Sequence, residues 1–267
     1  MGTLRISFGL SLTLLVLLVA FPVSAQTSGT DRLFMGFDEE AAVVDSQWWE
    51  GQGEIAEGSD FDAVIARPVA AFQLREAVEI GGRVGFGRTD SSPGTPDGTG
   101  ATDLDLWGKY HFGVQGDAEW AIGGTATVPT GDDTAGLGFD AFSLGGFGSM
   151  RYRLSQGFIS ASVGVRLNGD GQFRGPGTEL EGKTSVTGNV GWLYPISDTV
   201  TFVAEADAES RRFERNGSVP GVGTVVRVLG GINLRVANRG MVRVAIVGGL
   251  TDDAPDLQIL GGYAFHF

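Results

Sequence analysis

Residues 257–267 read LQILGGYAFHF. Leu257, Ile259, Gly261, Tyr263, Phe265 and Phe267 share one face at period two, and Gln258, Leu260, Gly262, Ala264 and His266 share the other. Alternation over this length marks a strand with two unlike faces. The segment before it repeats the pattern: Val242, Val244, Ile246 and Gly248 oppose Met241, Arg243, Ala245 and Val247. Farther back, Leu104, Leu106, Gly108, Tyr110 and Phe112 oppose Asp103, Asp105, Trp107, Lys109 and His111. No stretch sustains the i, i+3, i+4, i+7 spacing of a helix. The pattern predicts an all-β chain of about twelve strands, at roughly 47–57, 60–68, 76–88, 101–113, 118–129, 139–154, 157–168, 182–194, 199–212, 222–236, 240–250 and 256–267. Pro68 lacks a ladder donor, so it is expected to end the second strand.

The lengths of the links decide between β architectures. Gly113–Asp117, Ser155-Gln156, Pro195–Asp198 and Ala237–Arg239 are short. Thr89–Gly100, Thr130–Gly138, Gly169–Glu181 and Phe213–Gly221 are longer and rich in Gly, Pro and Asp. Short turns alternating with longer loops describe a transmembrane antiparallel up-and-down barrel, turns on the periplasmic side and loops outside. A soluble sandwich has no reason to sort its loops in this way. In that topology Tyr110, Phe112, Tyr152, Trp192, Tyr194, Tyr263, Phe265 and Phe267 come to one rim, with Trp120 and Phe202 at the same level. Most take the outward face, as an interfacial girdle requires.

Composition agrees. The chain has 267 residues, 42% of them hydrophobic and 10% aromatic, which argues against disorder. It has no cysteine, so disulfides, thiolate metal sites and cysteine nucleophiles are excluded. A net charge of −13 argues against nucleic acid as a partner. Arg5, the apolar run Leu10–Val23 and the small residues ending at Ala25 predict a secretory signal peptide over 1–25, cleaved after Ala25. Residues 26–46 are read as an N-terminal tail, a short periplasmic helix or a segment that enters the lumen as a plug. Residues 47–267 are the barrel.

The terminal Phe267, with Tyr263 and Phe265 before it at alternate positions, resembles the C-terminal signal of outer-membrane barrels. The resemblance implies insertion by the barrel-assembly machinery into outer-membrane lipid, with this last strand as the recognised element. The middle of the chain resembles the MetA-pathway phenol-degradation family of outer-membrane transporters. That likeness is carried by Gly100-Ala101-Thr102-Asp103-Leu104 leading one strand and Val128-Pro129-Thr130-Gly131 ending the next. It implies a channel or transporter for small solutes, aromatic or apolar compounds among them.

Charge falls on the faces predicted to be inward. Arg83, Lys109, Arg151, Arg153, Arg166, Arg227, Arg235 and Arg243 are basic; Glu50, Glu54, Glu79, Asp103, Asp105, Glu119, Glu205, Asp207 and Glu209 are acidic. These residues either keep the interior polar by pairing, or form opposed charge rings that orient a solute. Twelve strands ~4.8 Å apart, tilted ~40°, give a backbone radius of roughly 12 Å and a narrow lumen. Inward glycines such as Gly81, Gly123, Gly164 and Gly231 are expected to preserve some space. Asp90, Asp97, Asp132, Asp133, Asp252 and Asp253 outnumber Arg88, Arg174 and Arg212 at the outer mouth, which predicts weak cation preference. Losing Arg243 is expected to alter only the lumen, whereas a charge at its neighbour Val244 would face lipid.

Three functional classes compete: a narrow channel, a structural or receptor-type barrel without transport, and an outer-membrane lipid-modifying enzyme. Hydrolysis of that last kind needs a His–Ser pair with an orienting group. His111 and His266 are the only histidines, and neither has a serine two residues away. Asp132-Asp133 with Asp140, and Asp252-Asp253, are solvated loop residues with at most weak Ca²⁺ affinity. No catalytic, cofactor or metal site is expected.

Overall fold

The computed structural model describes residues 31–58, 61–91, 98–173, 179–214, 222–237 and 239–266. The expected signal peptide and Phe267 lie outside the described residues. Twelve antiparallel strands close into a barrel. β1 is Gln47–Glu57 and β2 is Phe61–Arg75. β3 comprises Val78–Arg83 and Phe86–Ser91, and β4 comprises Gly98–Ala101 and Leu104–Gln115. β5 is Ala118–Val128, β6 Ser143–Arg153, β7 Phe158–Asn168 and β8 Thr184–Pro195. β9 is Val200–Glu209, β10 Val225–Ala237, β11 Gly240–Gly249 and β12 Leu257–His266. Each strand pairs with its sequence neighbours. β1 pairs with both β2 and β12, from Trp48 opposite His266 to Glu57 opposite Leu257, so the ring of strands is closed.

Pro68 does not end a strand. It sits in mid-β2 opposite Gly51. Its carbonyl accepts a hydrogen bond from Val84 N at 3.4 Å, in the gap between the two pieces of β3. A residue's N–H and C=O point to the same neighbour in a pleated strand. The donor that proline lacks therefore faces the one place where β3 is interrupted, and β2 continues to Arg75.

Side chains sort by face as the alternation demands. On β11, Val244 and Ile246 are 44% and 58% exposed, while Met241, Arg243, Ala245 and Val247 between them are buried. Trp49, Tyr110, Phe112, Trp120, Tyr152 and Phe265 are exposed near the short-turn end, and Tyr263 and Phe265 pack edge to face at 4.6 Å. The tight turn at Gly116 needs a glycine, since its φ is +64°. Beyond the long-loop end, Gly171–Gln172, Glu179–Gly182 and Phe213–Glu214 form a small separate sheet. Phe173, Leu180, Phe213 and Val222 pack beneath it, against Phe139.

Candidate functional site

The barrel interior divides into two levels. The lower one, toward the short turns, is filled by residues 31–46. This segment has no helix or strand of its own, so its backbone groups need partners elsewhere. The barrel wall supplies them. Glu205 on β9 accepts three consecutive N–H groups: Phe34, Met35 at 2.9 Å and Gly36 at 3.0 Å. Arg243 on β11 donates to the carbonyls of Arg32 (3.0 Å) and Leu33 (2.6 Å), while its other nitrogens reach Glu50 (2.6 Å) and Asn233 (3.1 Å). Lys109 on β4 donates to the carbonyls of Phe37 (3.3 Å) and Glu40 (3.1 Å). Glu79 on β3 accepts Val44 N at 2.8 Å.

Charges within the segment close the network. Arg32, fully buried, pairs with Glu40 and with Glu79, and its guanidinium lies 4.3 Å from the centre of the Phe37 ring. Lys109 pairs with Glu79 at 3.1 Å, and Arg151 reaches Glu40 at 3.7 Å. Buried ion pairs persist where geometry and further hydrogen bonds offset desolvation, and Glu79 meets that condition, taking Arg32, Lys109, the Trp107 indole N–H and Val44 N, whereas Nε and Nη2 of Arg151 make no hydrogen bond among the described residues. Ser162 donates to Glu39 at 2.8 Å, and Thr201 to Asp31 at 3.0 Å. Burial, with Asp38 beside it, pushes the Glu39 carboxyl above its ordinary value; burial does the same to Asp31.

Apolar packing seals the rest. Leu33 and Phe34 join Phe158, Leu193, Val203 and Leu260, whereas Phe37 and Val44 join Trp48, Trp107 and Met241. The inward glycines expected to keep space open instead receive large neighbours. A Cβ on Gly81 would collide with the Trp107 indole, and one on Gly123 with the Phe147 ring.

Above this level lies a polar cavity of about 390 Å³. Phe34 and Met35 form its floor, and Arg67, Arg83, Arg166, Arg212 and Arg227 line its walls. Most of these cations are matched. Arg227 binds Asp207 through two bonds of 3.0 and 2.8 Å; Arg67 pairs with Glu54 at 3.0 Å; Arg83 pairs with Asp105 at 3.1 Å and Asp38 at 3.6 Å. Arg166 reaches Glu209 at 3.3 Å. The loop between β5 and β6 narrows the mouth: Leu137 and Ala135 pack on Ala56, Ala63 and Ile65, and Thr89 donates to the Ala135 carbonyl at 2.5 Å. The two motifs behind the family resemblance meet here. Asp103 accepts Gly131 N at 2.9 Å, and Asp132 N donates to the Ala101 carbonyl at 2.9 Å.

The sequence-derived lumen charges thus divide by level. Lys109, Arg151, Arg243, Glu79 and Glu205 hold the N-terminal segment, and Glu50 backs Arg243. Arg83, Arg166, Arg227, Asp105, Asp207 and Glu209 surround the cavity. Arg235 lies 3.8 Å from Asp31, Glu119 stands opposite Arg151, and Arg153 packs over Phe158 near the short-turn rim. His266 stacks on Trp48 at 6.3 Å; His111 is half-buried on β4, at the short-turn end. Asp132 accepts from Thr134 and Ala135 of its own loop, and Asp253 from Gly223. No cluster of three or more His, Asp and Glu suited to a metal occurs among the described residues.

One residue moves from its expected place. Sequence places Arg212 at the outer mouth, but its side chain lies in the cavity wall, 16% exposed, because Phe139 and Phe213 draw its guanidinium inward. Asp97 and Arg174 lie outside the described residues. Sequence pattern missed Arg32, Glu40 and Arg67, the first two because residues 31–46 carry no periodicity, the third because it adjoins Pro68.

No protein-family model and no curated protein sequence matches the chain. Solved structures do. A COG4313 outer-membrane channel from Pseudomonas putida F1 superposes with a TM-score of 0.70 at 14% identity, covering 86% of this chain and 98% of that one. The NanC porin gives 0.55 at 8% identity, over 82% and 100% of the two chains, and the KdgM porin 0.53 at 9%, over 82% and 99%. Identities this low speak for the fold. With the closed twelve-strand wall and its exposed apolar face, they make this chain a transmembrane β-barrel of the bacterial outer membrane.

Proposed function

We propose that the protein is an outer-membrane channel for small solutes, held shut in its periplasmic half by residues 31–46 and filled from an external vestibule. The observation that carries this reading is how the barrel holds the segment. Glu205, Arg243 and Lys109 bind mainly its backbone. That is how a cleft holds a peptide which comes and goes, and unlike an interior that merely packs on itself. A sealed structural barrel would have no need for a cavity lined by charged side chains above such a closure. The family resemblance supports aromatic or apolar compounds among the solutes. The KdgM neighbour has been solved with an oligogalacturonate, so this architecture also admits acidic sugars in another protein. The experiment is planar-bilayer conductance of the full chain and of a variant lacking 31–46 behind an intact signal peptide. Silence from both would remove the channel reading and leave a structural or receptor barrel. Assembly is proposed to depend on the C-terminal strand; deleting Phe267 should leave unassembled, heat-insensitive protein in the periplasm.

A further inference from the structure

Among the vestibule arginines, two are short of acceptors from the described residues. Arg227, Arg67 and Arg83 each have a carboxylate within 3.1 Å. Arg166 and Arg212 share one oxygen, Oε1 of Glu209, at 3.3 and 3.6 Å. The Ser185 hydroxyl donates to that same oxygen at 3.0 Å. At 3.6 Å the Arg212 contact is too long for a hydrogen bond, and its buried Nε has no partner. Among the described residues, two guanidinium forks, each built to grip a carboxylate through two N–H groups, thus share one oxygen atom that already accepts from Ser185. Burial, with Arg166 beside it, pulls Arg212 below its ordinary value, although Glu209, Asp105 and Asp103 act the other way.

One side of this corner is aromatic. The Arg212 guanidinium sits 5.2 Å from the centre of the Phe139 ring, which stacks on Phe173 at 5.5 Å. Phe139 lines the cavity together with Met35 and Leu260. Asp103, on the same wall, is occupied by the backbone N–H groups of Gly131 and Phe139.

We infer that the Arg166–Arg212 corner of the vestibule is a binding site for a small organic carboxylate with a compact apolar body. The carboxylate supplies the acceptors that Glu209 lacks; the body rests on Phe139 and Met35. This names the solute class of the channel proposed above and rests on that reading for the solute's onward route. Binding itself needs no opening, because the cavity lies above the closed level.

The test is calorimetric titration of the full chain in detergent with benzoate, with benzamide as its uncharged counterpart and with glucuronate as a carboxylate of polar body. Benzoate is expected to bind at least tenfold more tightly than either. Arg212→Gln and Arg166→Gln are each expected to weaken benzoate at least tenfold, whereas Arg67→Gln, on the same cavity but paired with Glu54, keeps affinity within twofold. Heat-modifiable migration checks that each variant is folded. If Arg212→Gln does not fold, Arg166→Gln and the benzamide comparison still decide. Equal binding of benzoate and benzamide, unchanged affinity in the arginine variants, or no benzoate binding would overturn the site. Glucuronate binding as tightly as benzoate would overturn the apolar-body assignment. Conductance without the 31–46 segment is read separately, so a site that binds in a barrel that never conducts would condemn the channel and spare the site.

Discussion

The two levels of the lumen are lined by the same strands and drawn from the same residue types, yet one is filled and the other open. In the lower level, basic and acidic side chains point at a stretch of backbone that has no secondary structure of its own. In the upper level, similar side chains point at one another and leave a cavity of about 390 Å³. The difference does not come from composition. It comes from where charges find partners. Glu205 makes no ion pair within 4 Å among the described residues, and its carboxylate accepts three N–H groups of the segment. Asp207, two residues farther along β9, meets Arg227 on the adjacent strand and needs nothing from the segment. A wall charge with bonding capacity left over after its wall partners is therefore a docking point, as Arg243 is beyond Glu50 and Lys109 beyond Glu79.

The comparison breaks most visibly if the lower level is emptied. A chain lacking residues 31–46 should change from closed to steadily conducting in planar bilayers, the largest effect expected of any alteration here. Its fold should survive, because the strand ladder is continuous without the segment. Loss of heat-modifiable migration would mean that the segment is part of the core and not a closure.

Next in size is a pair of adjacent changes on β11. Val244→Arg puts a charge on the lipid face and should cost ~2–4 kcal/mol if it lies near the midplane. Sequence alone predicts that Arg243→Val alters only the lumen. The structure revises that expectation. Arg243 is 1% exposed and binds Glu50, Asn233 and two carbonyls of the segment. Its removal strands Glu50 in the interior and should cost ~3–5 kcal/mol. The two changes still differ in kind. Arg243→Val should open the channel at denaturant concentrations where the barrel persists, whereas Val244→Arg should unfold the barrel without prior opening. Identical profiles would show that closure and barrel are one cooperative unit.

Glu205→Gln is milder. The amide replaces one acceptor oxygen by a donor that faces the N–H groups of residues 34–36. An unsatisfied buried N–H costs ~1–3 kcal/mol, so open probability should rise roughly tenfold or more, with barrel stability little changed. Unaltered gating in this variant would remove Glu205 as the docking point.

What the sequence discloses follows this same division. Strands are legible because a barrel wall has two unlike faces, and period-two alternation records that directly, as in Met241–Gly248. The inward assignment of Arg243, Glu205 and Lys109 is legible for the same reason. Their partners are not. Arg243 reaches carbonyls 210 and 211 residues away, and backbone groups carry no side-chain signature. Pro68 misleads because a missing donor normally ends a ladder, whereas here the opposing strand breaks at that point instead. Arg212 misleads because a loop residue was assumed to face water, and only the ring cluster of Phe139 and Phe213 turns it inward.

The smallest expected effect is on pH, and it depends on Glu39. Its carboxyl lies in the segment, is half-buried against the wall, and has Asp38 beside it; both conditions raise its proton affinity in the docked state. Ser162, Arg166 and Arg83 act in the opposite sense but do not cancel the rise. In the released segment the group is solvated and returns toward its ordinary value. Docking therefore takes up proton, and linkage requires that the docked state gain as pH falls through the raised value, with the gain complete once pH is below the ordinary one. Asp31, also raised by burial, adds in the same direction. Open probability should thus fall a few-fold at most between pH 7 and pH 5. Glu39→Gln, which mimics the protonated form, should gate at pH 7 as the unaltered chain does at pH 5 and lose most of the pH response. Acidification that opens the channel equally in both proteins would show that the wall carboxylates, Glu205 among them, govern the response and that Glu39 does not.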